Sequence, residues 1–262
     1  MKFYLSYWSG GYQNIPNENV INMHKLSAYL IKKHYGECHL ITDMISKPHF
    51  QSIPFTTITT ELESLGDTLS FNWALGKLYV YNILSKRGES FLHIDYDVFL
   101  WNPLPVNFLN KSVITQSIES KIYKKYYLSL IKHKCKNKYL LNDIKENDDA
   151  YNMGIFGGND LDFIEKYSKS AIEFSLDREN QNIFEEVHAH TTSAVAVVCE
   201  QYYLKRASEY YSIPITTLFG DTLPKEDKDK IANKIGYTHV VGAKMDPNIL
   251  KRIEKRILEF NL

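Results

Sequence analysis

The chain has 262 residues, 44% of them hydrophobic, and its 31 Lys and Arg balance its 31 Asp and Glu to a formal net charge of zero. That is enough apolar material for one large domain or two small ones, and the neutral balance excludes a protein whose business is bulk nucleic-acid binding. Three widely spaced cysteines, Cys38, Cys135 and Cys199, exclude a disulfide framework and a zinc site of CxxC type, which makes a reducing cytoplasm the expected home.

The first segment, MKFYLSYW, turns polar too early for a signal peptide, and no apolar run approaches the length that spans a bilayer. Residues 2–8 read instead as a β-strand that stops at Ser9-Gly10-Gly11, a turn that lets a ligand approach the backbone. From Asn19 to Tyr35 the apolar positions Ile21, Leu26, Tyr29 and Leu30 follow helical spacing, and Gly36 closes the segment as a C-cap. Strands follow at 38–43 and 90–94, with a helix at 72–85 between them. This β-α-β order predicts a right-handed, mostly parallel α/β sheet flanked by helices, with ligands bound beyond the carboxyl ends of its strands.

Further along, 112–117 reads as a strand, 121–149 as a Lys- and Tyr-rich insertion, and YNMGIFGG at 151–158 as a strand broken by glycines. Helices are expected at 161–174, at 195–211 and at the C-terminus over 246–260, and 224–235 as a helix or exposed loop. No linker composition divides the chain, so 1–262 is read as a single domain.

The segment FLHIDYDVFLWNPLP, residues 91–105, carries the chemistry. Asp95 and Asp97 end an apolar strand where more core would be expected, and Asp is both depleted from strands and costly to bury unpaired. Something cationic must compensate them, and a hard divalent cation, Mn2+ or Mg2+, takes a few carboxylate oxygens plus water and phosphate. The plain alternative is a solvated strand end, although the apolar return at Val98 to Leu100 is not what such an end requires.

HIDYDVFLWNPLP resembles the DxD region of nucleotide-sugar glycosyltransferases with the GT-A fold, in which the motif follows an apolar strand and precedes a short Pro-containing return. Other segments agree in order. WALGKLYVYNIL is similar to the helix preceding the DxD strand, with Lys77 at its basic, donor-facing position; YNMGIFGG resembles the Asn-x-Gly segment beside the donor sugar in glycogenin-like and lipopolysaccharide galactosyltransferase-like enzymes, giving Asn152 and Gly154. Glu200-Gln201 resembles their Asp-Gln pair with Glu in place of Asp, and His239-Val-Val-Gly242-Ala-Lys244 their late His-x-x-Gly motif, one residue shorter between Gly and Lys. SYWSGG at the start, together with WALGKLYVY and HIDYDVFLWNPLP, resembles predicted bacterial glycosyltransferase-like proteins.

The resemblance covers about residues 3–244 and implies a Rossmann-like GT-A fold and a metal-dependent, retaining transfer of a sugar from a nucleoside diphosphate, with UDP expected, to an acceptor hydroxyl. It implies Asp95, Asp97 and His239 as metal ligands, Asp95, Lys77, Gly154, Gly242 and Lys244 around the donor, and Glu200, Asn152 and Gln201 as catalytic. The acceptor, a saccharide, a lipid-linked group or a protein, is left open, and nucleic acid is not expected as a partner. Two rivals stand beside this reading: a metal-dependent nucleotidyltransferase, which would want a basic phosphate loop that SGGYQNIPN lacks, and an inactive sugar-nucleotide-binding protein.

Some residues keep two readings. Tyr7 and Trp8 either stack on a nucleobase at the strand mouth or fill core, and Asp43 either accepts from base or ribose hydroxyls or caps the next turn. His188 and His190 would face one side of a strand as a metal pair, but a polar loop lining the acceptor side is the favoured reading because no third ligand lies near. The basic, amphipathic C-terminal helix either lies peripherally on the inner face of an anionic membrane or, by preference, packs on its own domain.

Overall fold

The computed structural model describes residues 1–12, 14–66, 72–119, 135, 149–191, 193–220 and 225–262. Nine strands occur among them: β1 (Lys2–Ser6), β2 (His39–Ile41), β3 (Thr57–Thr59), β4 (Phe91–Ile94), β5 (Val98–Leu100), β6 (Val113–Glu119), β7 (Ala150–Gly158), β8 (Thr216–Thr217) and β9 (Tyr237–His239). Seven form one mixed sheet in the order β3-β2-β1-β4-β7-β6-β8, and β5 pairs with β9 in a small sheet of its own. The pairs β1–β2, β1–β4, β2–β3 and β6–β8 are parallel, while β7 runs antiparallel to both β4 and β6. The fold is thus α/β with a mostly parallel central sheet, and β7 is the strand that the parallel expectation did not foresee.

Side-chain alternation sends each strand into two cores. On β1, Tyr4 joins one cluster and Phe3 and Leu5 the other; on β4, Phe91 separates in the same way from Leu92 and Ile94. The first core holds Leu78 and Tyr81 of the helix Ala74–Lys86, Tyr167 and Phe174 of Leu161–Leu176, Phe184 of Arg178–His190, and Tyr203 and Leu204 of Tyr203–Tyr210. The second holds Leu26 and Leu30 of Glu18–Tyr35 and Ile253 and Ile257 of Pro247–Glu259. Burying such side chains on both faces stabilises the sheet by about 1.5–3 kcal/mol each.

Local chemistry fixes the helix ends. Asn17 accepts from the Val20 amide at 3.0 Å and opens the helix Glu18–Tyr35, and Gly36, at φ 83°, closes it in the left-handed conformation that a Cβ would strain. Asp160 and Asp177 cap the two helices that follow β7. His188 and His190 therefore lie in the last turn of Arg178–His190, where residues two apart point in different directions. Neither the strand-type pair nor the polar loop describes them. One long helix is expected over 195–211, and Ala194–Val197, Val198–Tyr202 and Tyr203–Tyr210 form it without a break, but its middle segment is a π turn.

The helix Pro247–Glu259 packs on Glu18–Tyr35, with the Tyr29 and Phe260 rings 4.9 Å apart, as the preferred reading expects. Among the described residues no helix is long and apolar enough to cross a membrane. The expected insertion at 121–149 lies outside the described residues apart from Cys135 and Asp149.

Candidate functional site

β4 ends at Ile94, and the chain turns at once: the Val98 amide donates to the Asp95 carbonyl at 2.9 Å, closing a tight turn over Asp95 to Val98. The strand frays there, so the two aspartates diverge. Asp97 is buried completely, whereas the Asp95 side chain remains 20% exposed. Because β7 runs against β4, its first half arrives at the same sheet end, where the Asp95 amide donates to the Gly154 carbonyl at 2.8 Å.

The small sheet brings a third side chain to this point. β5 and β9 pair Val98 with His239, which sets the imidazole beside Asp97 with Nε2 3.6 Å from Asp97 Oδ1. The other ring nitrogen, Nδ1, lies 2.7 Å from Gln116 Oε1, which also accepts from the Tyr237 hydroxyl at 2.6 Å. An amide oxygen can only accept, so the proton sits on Nδ1 and Nε2 faces Asp97. Gly154 makes room for this arrangement, because a Cβ at that position would come within 2.5 Å of His239 Nδ1 and would also overlap Gln116. Gly154→Ala is therefore expected to displace both side chains, costing about 1–3 kcal/mol of stability and weakening divalent-metal affinity at least about tenfold. Thermal denaturation with and without Mn2+ checks both effects.

On its other side Asp97 meets Lys244, whose Nζ is 3.0 Å from Oδ2 and lies 4.6 Å above the Tyr96 ring. Burial alone would push the Asp97 carboxyl up, but an imidazolium at His239, protonated on both nitrogens, and the Lys244 ammonium overrule it and hold the group well below the usual carboxylate range. Burial would lower the Lys244 ammonium, yet Asp97 and Tyr96 raise it. A carboxyl depressed by folding contributes stability above its unfolded value and loses it as pH falls through the folded one. The metal-free protein should then lose thermal stability below about pH 4, with a shallower loss in Asp97→Asn.

A second cluster stands behind Asp95. Lys77 of the helix Ala74–Lys86 is buried, with Nζ 2.9 Å from Asp95 Oδ1 and 2.7 Å from Glu200 Oε1, and it donates to the Met153 carbonyl at 3.4 Å. Its three N–H donors are thus satisfied. Burial would lower Lys77, but Asp95 and Glu200 push it up to about 12. Glu200 sits in the π turn, fully buried, and accepts from the Tyr81 hydroxyl at 3.0 Å, while the Tyr167 hydroxyl donates to its backbone carbonyl at 2.8 Å. Burial raises the Glu200 carboxyl and Lys77 only partly offsets this. π turns recur at functional sites because they redirect one side chain out of helical phase.

These groups can hold a divalent cation. One ligand atom from each of Asp95, Asp97 and His239 lies within 4.8 Å of the others. Both Asp97 oxygens are buried and accept no well-aligned hydrogen bond, and Oδ1 faces the imidazole Nε2, so two acceptor-type atoms meet where a cation or a proton belongs. Three carboxylates, Asp95, Asp97 and Glu200, face two ammonium groups, Lys77 and Lys244, which leaves one negative charge for a cation to offset.

Other expected site residues lie elsewhere or act less directly. Tyr7 is 2% and Trp8 3% exposed: Tyr7 stacks on Tyr12, and Trp8 donates to the Gly66 carbonyl at 3.1 Å, so both fill core and leave no free ring face at the strand mouth. Asp43 accepts from the Ser9 amide at 2.6 Å and the Ser46 amide at 2.7 Å, the turn-capping reading, and ties together the loops after β1 and β2. Asn152 is half-buried on β7 and accepts from the Gly154 amide at 3.0 Å. Gln201 is half-buried in the π turn, and Gly242 occupies an exposed turn after β9 at φ 71°.

Gln116, Tyr81 and Tyr237 were not expected. A lone Gln inside the β-forming run SVITQS is the one signal that pointed to Gln116.

The chain belongs to a family of unknown function, DUF6734, whose profile matches residues 1–260. No curated protein matches it.

Proposed function

We propose that this member of the DUF6734 family is a divalent-metal-dependent glycosyltransferase that moves a sugar from a nucleoside diphosphate, with uridine as the base, to an acceptor hydroxyl. The observation that carries the reading is the convergence of Asp95, Asp97 and His239 at the carboxyl end of β4, flanked by Lys77 and Lys244. Ligands of open α/β sheets bind at such strand ends. The motif order from Asp95 to Lys244, with its resemblance to GT-A enzymes, is the second support, and retention of anomeric configuration rests on that resemblance alone.

Asp95, Asp97 and His239 would hold Mg2+ or Mn2+, which when bound supplies Lewis-acid charge to a diphosphate leaving group. Gln116 orients the imidazole by taking its Nδ1 proton in a hydrogen bond, a typical outer-shell role. Lys244, 37% exposed at its side chain, offers a second positive charge to a developing diphosphate anion. Lys77 holds the Asp95 carboxylate, and Glu200, being fully buried, positions Lys77 rather than meeting a ligand itself.

A screen of UDP-, CDP- and GDP-sugars for hydrolysis or transfer, with Mn2+ or with EDTA, tests the proposal. Metal-dependent cleavage of a UDP-sugar is the expected result. Equal turnover in EDTA, or no sugar release from any donor, would overturn it. Pyrophosphate release from a nucleoside triphosphate and a sugar phosphate would replace it with the nucleotidyltransferase reading.

A further inference from the structure

β6 ends in a carboxylate that the proposed metal centre does not use. Glu119, its last residue, is half-buried, and Ser117 two positions earlier is fully buried. Tyr151 and Met153 of β7 and Ile118 of β6 turn into the first core, so Asn152, Ser117 and Glu119 turn to the opposite face of the sheet. The second core lies on that face, and with it the β5–β9 sheet that carries His239. Ser117 and Asn152 stand directly opposite one another across the β6–β7 pair.

Hydrogen bonds link Glu119 to the metal centre. The Ser117 hydroxyl donates to Glu119 Oε1 at 3.0 Å, and the Asn152 side-chain amide reaches the same oxygen at 3.5 Å. Asn152 Oδ1 accepts in turn from the amide of Gly154, whose carbonyl receives the Asp95 amide. Asn152 and Gly154 are two residues apart on β7, at most about 7 Å of strand. Oε1 of Glu119 is thus held by two donors, whereas Oε2 has no partner among the described residues. Lys228 donates to the Ile118 carbonyl and forms no ion pair with Glu119. A half-buried carboxylate with one free oxygen and no cation beside it calls for hydroxyl donors from a ligand.

We infer that Glu119 binds hydroxyl groups of the donor sugar and makes this site selective for neutral hexoses over uronic acids, an inference that rests on the transferase reading. A sugar bonded to a diphosphate held at Asp95, Asp97 and His239 has to occupy the space beside that centre. Gly154, Asn152 and Glu119 border it on the β7 and β6 side. A carboxylate accepts from adjacent hydroxyls of a pyranose through charge-assisted hydrogen bonds, about twice as strong as neutral ones. A uronic acid would bring a second carboxylate into the same subsite, and like charges so placed reject a ligand that otherwise fits.

Calorimetric titration of the full chain in Mn2+ with UDP, UDP-glucose, UDP-galactose and UDP-glucuronic acid, repeated with Glu119→Gln, is the test. The unaltered chain should bind at least one of the two hexose donors about tenfold or more tightly than UDP-glucuronic acid. Glu119→Gln should lower the affinity for that hexose donor about tenfold, bring UDP-glucuronic acid level with it, and leave UDP affinity and melting temperature unchanged. Three results would overturn the inference and leave the transferase reading standing: equal binding of hexose and uronic acid donors by the unaltered chain, a hexose preference that survives Glu119→Gln, or a UDP affinity that falls by the same factor as the hexose donor's. Absence of UDP binding by the unaltered chain would overturn both.

Discussion

Asp97→Asn is expected to lower Mn2+ affinity by about 100-fold or more and to bring sugar-nucleotide turnover to background. Removing an outer-shell partner of a metal ligand commonly costs 10–100-fold, and in the proposed centre Asp97 is a ligand itself, so the loss should lie at or beyond the top of that range. The substitution exchanges a charged oxygen for an amide in a pocket where neither oxygen has a well-aligned hydrogen-bond donor. It should not unfold the protein, because Lys244 keeps solvent access and the Tyr96 ring. Asp95→Asn is the informative contrast: Asp95 is ion-paired to Lys77, so its loss should weaken metal binding and also disturb the Lys77 and Glu200 pair. Isothermal titration with Mn2+ alongside metal-free melting curves distinguishes ligand loss from misfolding. Metal affinity unchanged in Asp97→Asn would remove the role assigned to it.

Lys77→Met should produce the largest loss of stability, about 3–5 kcal/mol at pH 7, or roughly 10 °C in melting temperature for a chain of this size. The ammonium is buried between Asp95 and Glu200, and without it Glu200 is a fully buried carboxylate whose one close cation is gone. The pH dependence gives the mechanism away. Burial already raises the Glu200 carboxyl, and removing Lys77 raises it further. A carboxyl whose folded value lies above its unfolded one contributes stability below the unfolded value and loses it as pH rises through the folded one. Lys77→Met should therefore regain stability between pH 7 and about pH 5, and Lys77→Met combined with Glu200→Gln should be more stable than Lys77→Met alone at pH 7. Denaturant titrations at the two pH values measure both. A pH-independent loss with no rescue would mean that packing of the lysine stem, not charge, dominates.

Much of this architecture was legible in the sequence because it is written locally. The helix over Glu18–Tyr35 announced itself through apolar spacing and Gly36, and the strand at Phe91–Ile94 through its continuous apolar run. What escaped was short or set by partners distant in sequence. β5 and β9 have three residues each and exist because they pair with one another across more than a hundred residues, so neither carries a period of its own. The helix Arg178–His190 had its signals in Asp177, Phe184 and Val187, which the eye-catching histidines obscured.

The candidate site divides in the same way. Carboxylates at the end of an apolar strand are conspicuous because their desolvation is costly, and His239 and Lys244 do converge on Asp97. Asp43 looked equivalent at the end of β2, yet its oxygens are taken by the amides of Ser9 and Ser46. Tyr7 and Trp8 illustrate the ambiguity of aromatic residues, which suit a core and a stacking platform alike until burial decides. Gln116 had only its oddity within SVITQS to mark it, since its importance comes from His239 and Tyr237, both more than a hundred residues later.

Calorimetric titration of Mn2+ into the full chain, with and without UDP, tests the central claim most directly. One binding site is predicted, with an affinity that rises when UDP is present and that is lost in His239→Ala. No heat beyond dilution in either condition, or a site that survives His239→Ala unchanged, would contradict the assignment of Asp95, Asp97 and His239 as a metal centre for a nucleoside diphosphate.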